Sequence, residues 1–152
     1  MSPNTLEIKA AIQIQKAPEE VFVAIIDPAK MSNYFIAKGS GRMEEGKSII
    51  WKFPEFDFEF PIRVGKIEKN QYVSWYWEVD QLELFVEITL KPVAQTSTLV
   101  AVTEKSRENN EAGIKWLGQN TEGWANFLAC LKCYLEYGIN LRKGAFDFLK
   151  PE

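Results

Sequence analysis

A chain of 152 residues is long enough for one domain with one hydrophobic core. Its formal net charge of -3, without a cluster of Lys and Arg, argues against a polyanion partner, so we expect no nucleic-acid binding. The sequence has no histidine, which excludes the Ser-His and Cys-His nucleophile pairs and most zinc and iron sites. We therefore expect no metal and no cofactor. The 5 Trp, 5 Tyr and 10 Phe instead provide much large apolar surface.

The N-terminal part of the chain predicts one strand and two short helices. Apolar residues at every second place in residues 6–14 predict a half-buried strand. Pro18 and the two glutamates after it suit the first turn of a helix, where a missing N–H is no loss and the helix dipole favours negative charge. Asp27 and Pro28 end this helix and can begin a second one, with Asp27 as its cap.

The middle of the chain predicts about six antiparallel strands with one dry face and one wet face. Apolar residues alternate in residues 49–53, 58–64, 73–77, 82–90 and 98–106. Gly39, Gly41 and Gly46 are predicted turn residues, because their spacing and context do not match a dinucleotide-binding loop. Pro54, Pro61 and Pro92 are expected at strand ends, edges or bulges.

The last predicted element is a long helix from about Ile114 to Tyr137, with Gly138 as its C-cap. Its apolar residues recur at helical spacing and predict one buried face, formed by Leu117, Trp124, Phe127, Leu128, Leu131, Tyr134 and Leu135. Cys130 and Cys133 form a C-x-x-C pair late in this helix, far from the N-terminal end that would lower a thiol pKa. We therefore predict that both are small, partly buried residues of a core helix and not a redox or metal site.

The sequence lacks a membrane span as well as a secretion signal. No apolar run approaches the length that crosses a bilayer, and the first residues show no basic region followed by an apolar stretch. We therefore expect a cytoplasmic protein.

Four segments, in this order, resemble one protein family. They are KAPEEVFVAIIDPAKMSNYF (16–35), EEGKSIIWKF (44–53), GKIEKNQYVSWYWE (65–78) and EGWANFLACLKCYLEYG (122–138). All four resemble the START-like, or SRPBCC, superfamily, and in particular its branch named for the activator homologue of the heat-shock-protein-90 ATPase (AHSA-type). The similarity extends from about Glu7 to Gly138.

This resemblance implies an α+β, helix-grip fold. In that fold a seven-stranded antiparallel sheet wraps around a long C-terminal helix, two short helices follow strand 1, and an apolar pocket lies between sheet and helix. The whole chain, 1–152, would be a single START-like domain, with 139–152 as a C-terminal extension beyond the family helix. Family members bind or transport lipids and other hydrophobic ligands, cyclise aromatic polyketides or serve chaperones, and the resemblance provides no catalytic residues.

The first functional hypothesis is the binding of a lipid or another hydrophobic small molecule between helix and sheet. Alternation and helical phase turn the predicted lining residues inward: Trp51, Phe53, Phe60, Ile62, Trp75, Trp77, Leu84, Val86, Val102, Glu104, Trp124, Phe127 and Leu128. The alternative is that these side chains fill the core and leave no cavity.

Two other hypotheses rank below binding. A cyclase- or hydrolase-like enzyme would use Glu104, which alternation places on the dry face, as an acid or base. The plainer interpretation is a Glu that reaches solvent or pairs with a basic side chain. A protein-partner module would use the run FPEFDFEFP (53–61) to present Glu55, Asp57 and Glu59 together, although a solvated strand face explains these charges equally well. A homodimer is a further hypothesis for the partner, and no particular residues are predicted for it.

Overall fold

A seven-stranded antiparallel sheet and one long helix form the body of the protein, which the computed structural model describes over residues 4–151. The strands are β1 (Thr5–Ile14), β2 (Lys38–Gly39), β3 (Ser48–Lys52), β4 (Glu59–Glu68), β5 (Tyr72–Val79), β6 (Leu82–Ala94) and β7 (Ser97–Glu108). The helices are α1 (Pro18–Ile26), α2 (Pro28–Met31) and α3 (Glu111–Tyr137), followed by a 3₁₀ turn at Asp147–Leu149. The helix-grip fold is thereby confirmed. Residues 1–3 and 152 of the predicted domain lie outside the described residues.

The sheet has the strand order β1-β7-β6-β5-β4-β3-β2. The first strand therefore pairs with the last one, from Thr5 opposite Glu108 to Ile14 opposite Thr98. Helix α3 packs against β1 and β7 on the face of the sheet that carries the buried side chains. The hydrophobic core lies between this face and the three helices.

The two short helices begin as the sequence predicts. Pro18 occupies the start of α1, and the following glutamates lie in its first turn. Asp27 caps α2, because its Oδ1 accepts a hydrogen bond of 2.9 Å from the Ala29 N–H. The apolar side of α1 is buried against the sheet and brings α2 and the residues after it over the end of β3.

Helix α3 begins at Glu111, three residues before the predicted start. The cause is Asn110, whose side chain accepts a 2.8 Å hydrogen bond from the Gly113 N–H and so caps the helix. Gly113 has to be glycine here, since a Cβ would lie 1.9 Å from the carbonyl oxygen of Glu108. Gly138 ends the helix with a φ of 65°, as predicted. Among the described residues, no helix has the length and apolarity that crossing a bilayer requires.

One glycine prediction is wrong. Gly39 lies in β2 and pairs with Trp51, and is not a turn residue. A two-residue strand carries no alternation, so the pattern could not reveal it. Gly46 is in a turn with a φ of 79°, as expected, and Gly41 lies at a bend. Pro92 lies at an irregularity of the β6–β7 pairing, which agrees with its predicted position.

Candidate functional site

Eight aromatic rings meet between the sheet and α3. This aromatic cluster consists of Phe35, Trp51, Phe53, Phe60, Trp75, Trp77, Trp124 and Phe127. The ring centroids of neighbouring members lie 4.7 to 6.3 Å apart, in mostly tilted or edge-to-face arrangements. At these distances the rings touch, so a ligand that enters the cluster has to displace one or more of them.

The predicted lining residues do lie together on the inner side of the sheet and of α3. Eleven of them are buried: Trp51, Phe53, Ile62, Trp75, Leu84, Val86, Val102, Glu104, Trp124, Phe127 and Leu128. Phe60 and Trp77 are only partly buried. That these residues bind a ligand stays a prediction.

Phe35 belongs to the centre of the cluster, although no pattern in the sequence predicts this position. Its ring packs on Trp51, Phe53, Trp124 and Phe127. It follows α2 in a turn, outside any periodic element, so neither alternation nor helical phase assigned it a direction. The only feature of the sequence that could have indicated its burial is a large apolar side chain next to the end of a helix.

Glu104 is an acidic residue within this interior and is fully buried. Its Oε2 accepts a 2.8 Å hydrogen bond from Trp77 Nε1, and its Oε1 accepts bonds of 2.9 Å from Trp124 Nε1 and 3.3 Å from Asn120 Nδ2. In the described chain no Lys or Arg forms an ion pair with it. The predicted position of Glu104 on the dry face of the sheet is thus confirmed. The plainer interpretation, a Glu that reaches solvent or forms an ion pair with a basic side chain, is wrong.

The surroundings of Glu104 determine what it can do. All three of its partners are N–H donors, so the carboxyl acts as a hydrogen-bond acceptor that joins β5, β7 and α3. Acid or base chemistry would require a substrate to replace one of these donors. In the arrangement observed, Glu104 fixes the orientation of two indole rings.

Tyr34 closes the cluster on the α1 side. Its hydroxyl donates a 2.7 Å hydrogen bond to the carbonyl oxygen of Ala24, and its ring packs on Phe127 and Tyr134. Burial, with a smaller contribution from Tyr134, raises the pKa of Tyr34 well above its usual value. This hydroxyl therefore stays protonated and serves as a structural donor.

A groove between β4 and β5 reaches the cluster from outside. Pairing between these strands ends at Arg63 and Tyr76, so the beginning of β4 and the end of β5 lie apart in the described chain. Pro61, in the separated part of β4, has no N–H to offer a neighbouring strand. The resulting β4–β5 groove has a volume of about 680 Å³ and is lined by residues 58–63 and 76–81 together with Ser48 and Glu83. Phe60 and Trp77 belong to both the groove and the cluster.

The C-terminal extension is attached beside the cluster by a buried ion pair. Arg142 donates two hydrogen bonds to Glu55, of 2.9 Å and 2.6 Å, and its guanidinium lies 5.7 Å from the ring centroid of Phe53. The predicted joint presentation of the three acidic side chains is wrong, because Glu55 is buried in this pair while Asp57 and Glu59 are exposed. The extension thus holds the loop that carries Phe53.

The two cysteines are free and lie on α3, Cys130 buried and Cys133 partly buried. Burial raises the pKa of the Cys130 thiol, against an opposing effect of the Arg142 charge. Within residues 4–151, no group of three or more His, Cys, Asp or Glu side chains is placed to hold a metal ion.

We expect Cys130 to react slowly with an aromatic disulfide reagent at pH 7. Because little of this buried thiol is thiolate, its rate should be at least about tenfold lower in the native protein than in denaturant. The Cys133→Ser variant isolates Cys130 for this titration. Equal rates with and without denaturant, or stoichiometric zinc in the purified protein, would show that the pair is a reactive site.

Comparison with known proteins identifies the family. The model of the family described as "Activator of Hsp90 ATPase homolog 1-like protein" matches residues 15–136. The protein SSP2350 from Staphylococcus saprophyticus is 30% identical in sequence, and its crystal structure superposes with a TM-score of 0.78 over 88% of this chain and 94% of that chain. No curated protein matches.

Two further solved structures share the fold at lower identity. The Aha1 dimer from Colwellia psychrerythraea is 22% identical, with a TM-score of 0.75 over 88% of this chain and 98% of that chain. DynU16, a putative protein in the dynemicin biosynthetic locus, is 24% identical, with a TM-score of 0.78 over 88% of this chain and 48% of that chain. The AHSA-type resemblance is thereby confirmed, and this chain belongs to the family of the Activator of Hsp90 ATPase homolog 1-like proteins.

Proposed function

We propose that this protein binds a hydrophobic small molecule that reaches the aromatic cluster through the β4–β5 groove. The observation that supports this most directly is that Phe60 and Trp77 belong to both the groove and the cluster. Both line the groove, and both pack on interior members of the cluster, at centroid distances of 5.3 Å for Phe60 to Phe53 and 5.9 Å for Trp77 to Trp75. Small-molecule sites are usually concave and aromatic with a few fixed polar groups, and Glu104 provides such a group.

Binding is favoured over catalysis by the state of Glu104. A general base has to reach the proton that it removes, but this carboxyl is fully buried and already accepts three hydrogen bonds. The groove instead offers apolar rings at its inner end. Catalysis therefore stays the lower-ranked hypothesis, and the cytoplasm stays the predicted location.

A protein-partner role is the second candidate. One relative of this fold was solved as a dimer, and the C-terminal extension of this chain exposes apolar side chains, among them Ile139, Leu141, Phe148 and Leu149. If no small molecule binds, this extension becomes the first surface to test, by measuring the mass of the native protein in solution.

The test is a thermal-shift screen of fatty acids, sterols, flavonoids and aromatic polyketides. A ligand at a hundred times its Kd stabilises the folded state by about 2.7 kcal/mol, which corresponds to a rise in Tm of roughly 5–10 °C for a chain of this size. Tryptophan fluorescence should change in parallel, because the ligand removes water from Trp77.

A pair of matched variants checks the route. Val79→Phe fills the β4–β5 groove, whereas Val93→Phe adds the same ring at an exposed site on β6. We expect Val79→Phe to weaken a hit at least about tenfold, or 1.4 kcal/mol, and Val93→Phe to leave it unchanged. A hit that binds both variants equally would contradict entry through the groove, and a screen without any hit would contradict the proposed function.

A further inference from the structure

Two of the indoles in the aromatic cluster carry unused hydrogen-bond donors. The Nε1 atoms of Trp51 and Trp75 are buried and have no partner in the described part of the chain. The N–H groups of Trp77 and Trp124, in contrast, are both bound by Glu104. A buried N–H without an acceptor is uncommon in folded proteins and costs free energy, so it calls for an explanation.

The two rings that carry these donors lie next to a residue that lines the β4–β5 groove. The rings of Trp51 and Trp75 lie 5.3 Å apart, and both pack on Trp77, at 6.1 Å and 5.9 Å. Trp77 lies at the inner end of the β4–β5 groove. A molecule that enters along this groove and shifts Trp77 therefore meets the two rings that carry the unpartnered N–H groups.

The charges at the site determine what kind of acceptor fits. Glu104 provides a carboxylate that bonds to Trp77 and Trp124, and no member of the cluster is a cation. The nearby guanidinium of Arg142 is already held by both oxygens of Glu55. An anionic ligand would enter an apolar site that offers no free cation to balance its charge, which is strongly unfavourable. A neutral acceptor avoids this cost.

We propose that the ligand is a neutral, flat, apolar molecule with a carbonyl-type oxygen, and that this oxygen accepts hydrogen bonds from the indole N–H groups of Trp51 and Trp75. This proposal rests on the proposed function and narrows it. Ionised fatty acids are then poor ligands, and an aromatic hydrocarbon without an acceptor binds more weakly than the corresponding ketone.

Three probes that share the tricyclic fluorene skeleton test the proposal: fluorene, 9-fluorenone and fluorene-9-carboxylate. Binding is followed by quenching of tryptophan fluorescence and by the indole N–H signals in ¹⁵N–¹H spectra. We expect 9-fluorenone to bind at least about tenfold more tightly than fluorene, because a single well-placed hydrogen bond already has roughly this effect, and the carboxylate to bind most weakly. The indole signals of Trp51 and Trp75 should shift with the ketone and much less with the hydrocarbon.

Matched variants show whether the N–H groups cause this preference. Trp51→Phe and Trp75→Phe keep an aromatic ring and remove the N–H. The ratio of the affinity for 9-fluorenone to the affinity for fluorene should therefore fall towards one, while fluorene still binds. Trp116→Phe is the control, because the Trp116 N–H is also buried and without a partner among the described residues but its ring is not in the cluster. This variant should keep the full preference.

The outcomes separate the two proposals. Equal affinity for fluorene and 9-fluorenone, tightest binding of the carboxylate, or an unchanged preference in both cluster variants would overturn the neutral-acceptor proposal while leaving small-molecule binding intact. If none of the three probes binds, the neutral-acceptor proposal is also overturned, and the wider screen by itself decides the proposed function.

Discussion

Trp124→Ala is expected to lower the free energy of unfolding by about 3–5 kcal/mol, the usual cost of truncating a buried Trp. The Trp124 ring is 4% exposed and packs on Trp75, Trp77 and Phe127, and its N–H donates to Glu104. The variant therefore loses the packing of α3 on the sheet and also leaves part of a buried carboxylate unbonded. Since a domain of this size has a total stability of about 5–15 kcal/mol, the variant should be marginal. Urea unfolding followed by circular dichroism measures the loss.

Trp124→Phe shows which part of the Trp124 side chain matters, and Leu149→Ala serves as the control. Trp124→Phe keeps a ring and removes the N–H, so its cost should be smaller, about 1–3 kcal/mol. Leu149→Ala, at a side chain that is 48% exposed, should change stability by no more than about 0.5 kcal/mol. A Trp124→Ala protein that melts within a few degrees of the parent would show that the indole does not hold the helix.

Glu104→Ala is expected to be destabilising by about 3 kcal/mol or more. It leaves the N–H groups of Trp77, Trp124 and Asn120 without their acceptor, and each buried donor left unpaired costs about 1–3 kcal/mol. Because Trp77 is partly exposed, its N–H can form a hydrogen bond to water instead, so its contribution to the loss of stability should be the smallest. Thermal and urea unfolding measure the total.

Glu104→Gln should fall between the parent and Glu104→Ala. The amide keeps one acceptor oxygen but turns an NH₂ group towards one of the former donors. The control is Glu83→Ala on β6, whose exposed ion pair with Arg63 should contribute no more than about 1 kcal/mol. If Glu104→Ala were as stable as Glu83→Ala, the carboxyl would have no structural role and the enzyme hypothesis would gain weight.

The direction of most core side chains could be predicted, because period-two alternation assigns each strand residue to one face. Glu104 was placed on the dry face for this reason, together with Val100 and Val102. Alternation does not say which side chains lie across the sheet or beneath the helix. The bonds from Trp77 and Trp124 depend on the order of the strands and on the position of α3, so the partners of Glu104 could not be predicted.

The other residues that could not be predicted lie in segments without strand alternation or helical spacing. Phe35 lies in a turn, and Glu55 and Arg142 are 87 residues apart in a loop and in the C-terminal extension. A charge pair of this kind leaves no local pattern, and Glu55 therefore looked like one member of an acidic strand face. The family match offers no help with Arg142, because it ends at residue 136.

The pairing of β1 with β7 has a consequence for how the chain acquires this structure during synthesis. Ile8 leaves the ribosome long before Glu104, the residue with which it pairs, so β1 has no neighbouring strand until the other strands of the sheet have been made. Closing so long a loop lowers the entropy of the chain before any stabilising contact has formed. Folds with many contacts between distant residues are therefore slow to form. Until β7 emerges, the apolar side of β1 is open to other nascent chains, and aggregation competes with folding most strongly in that interval.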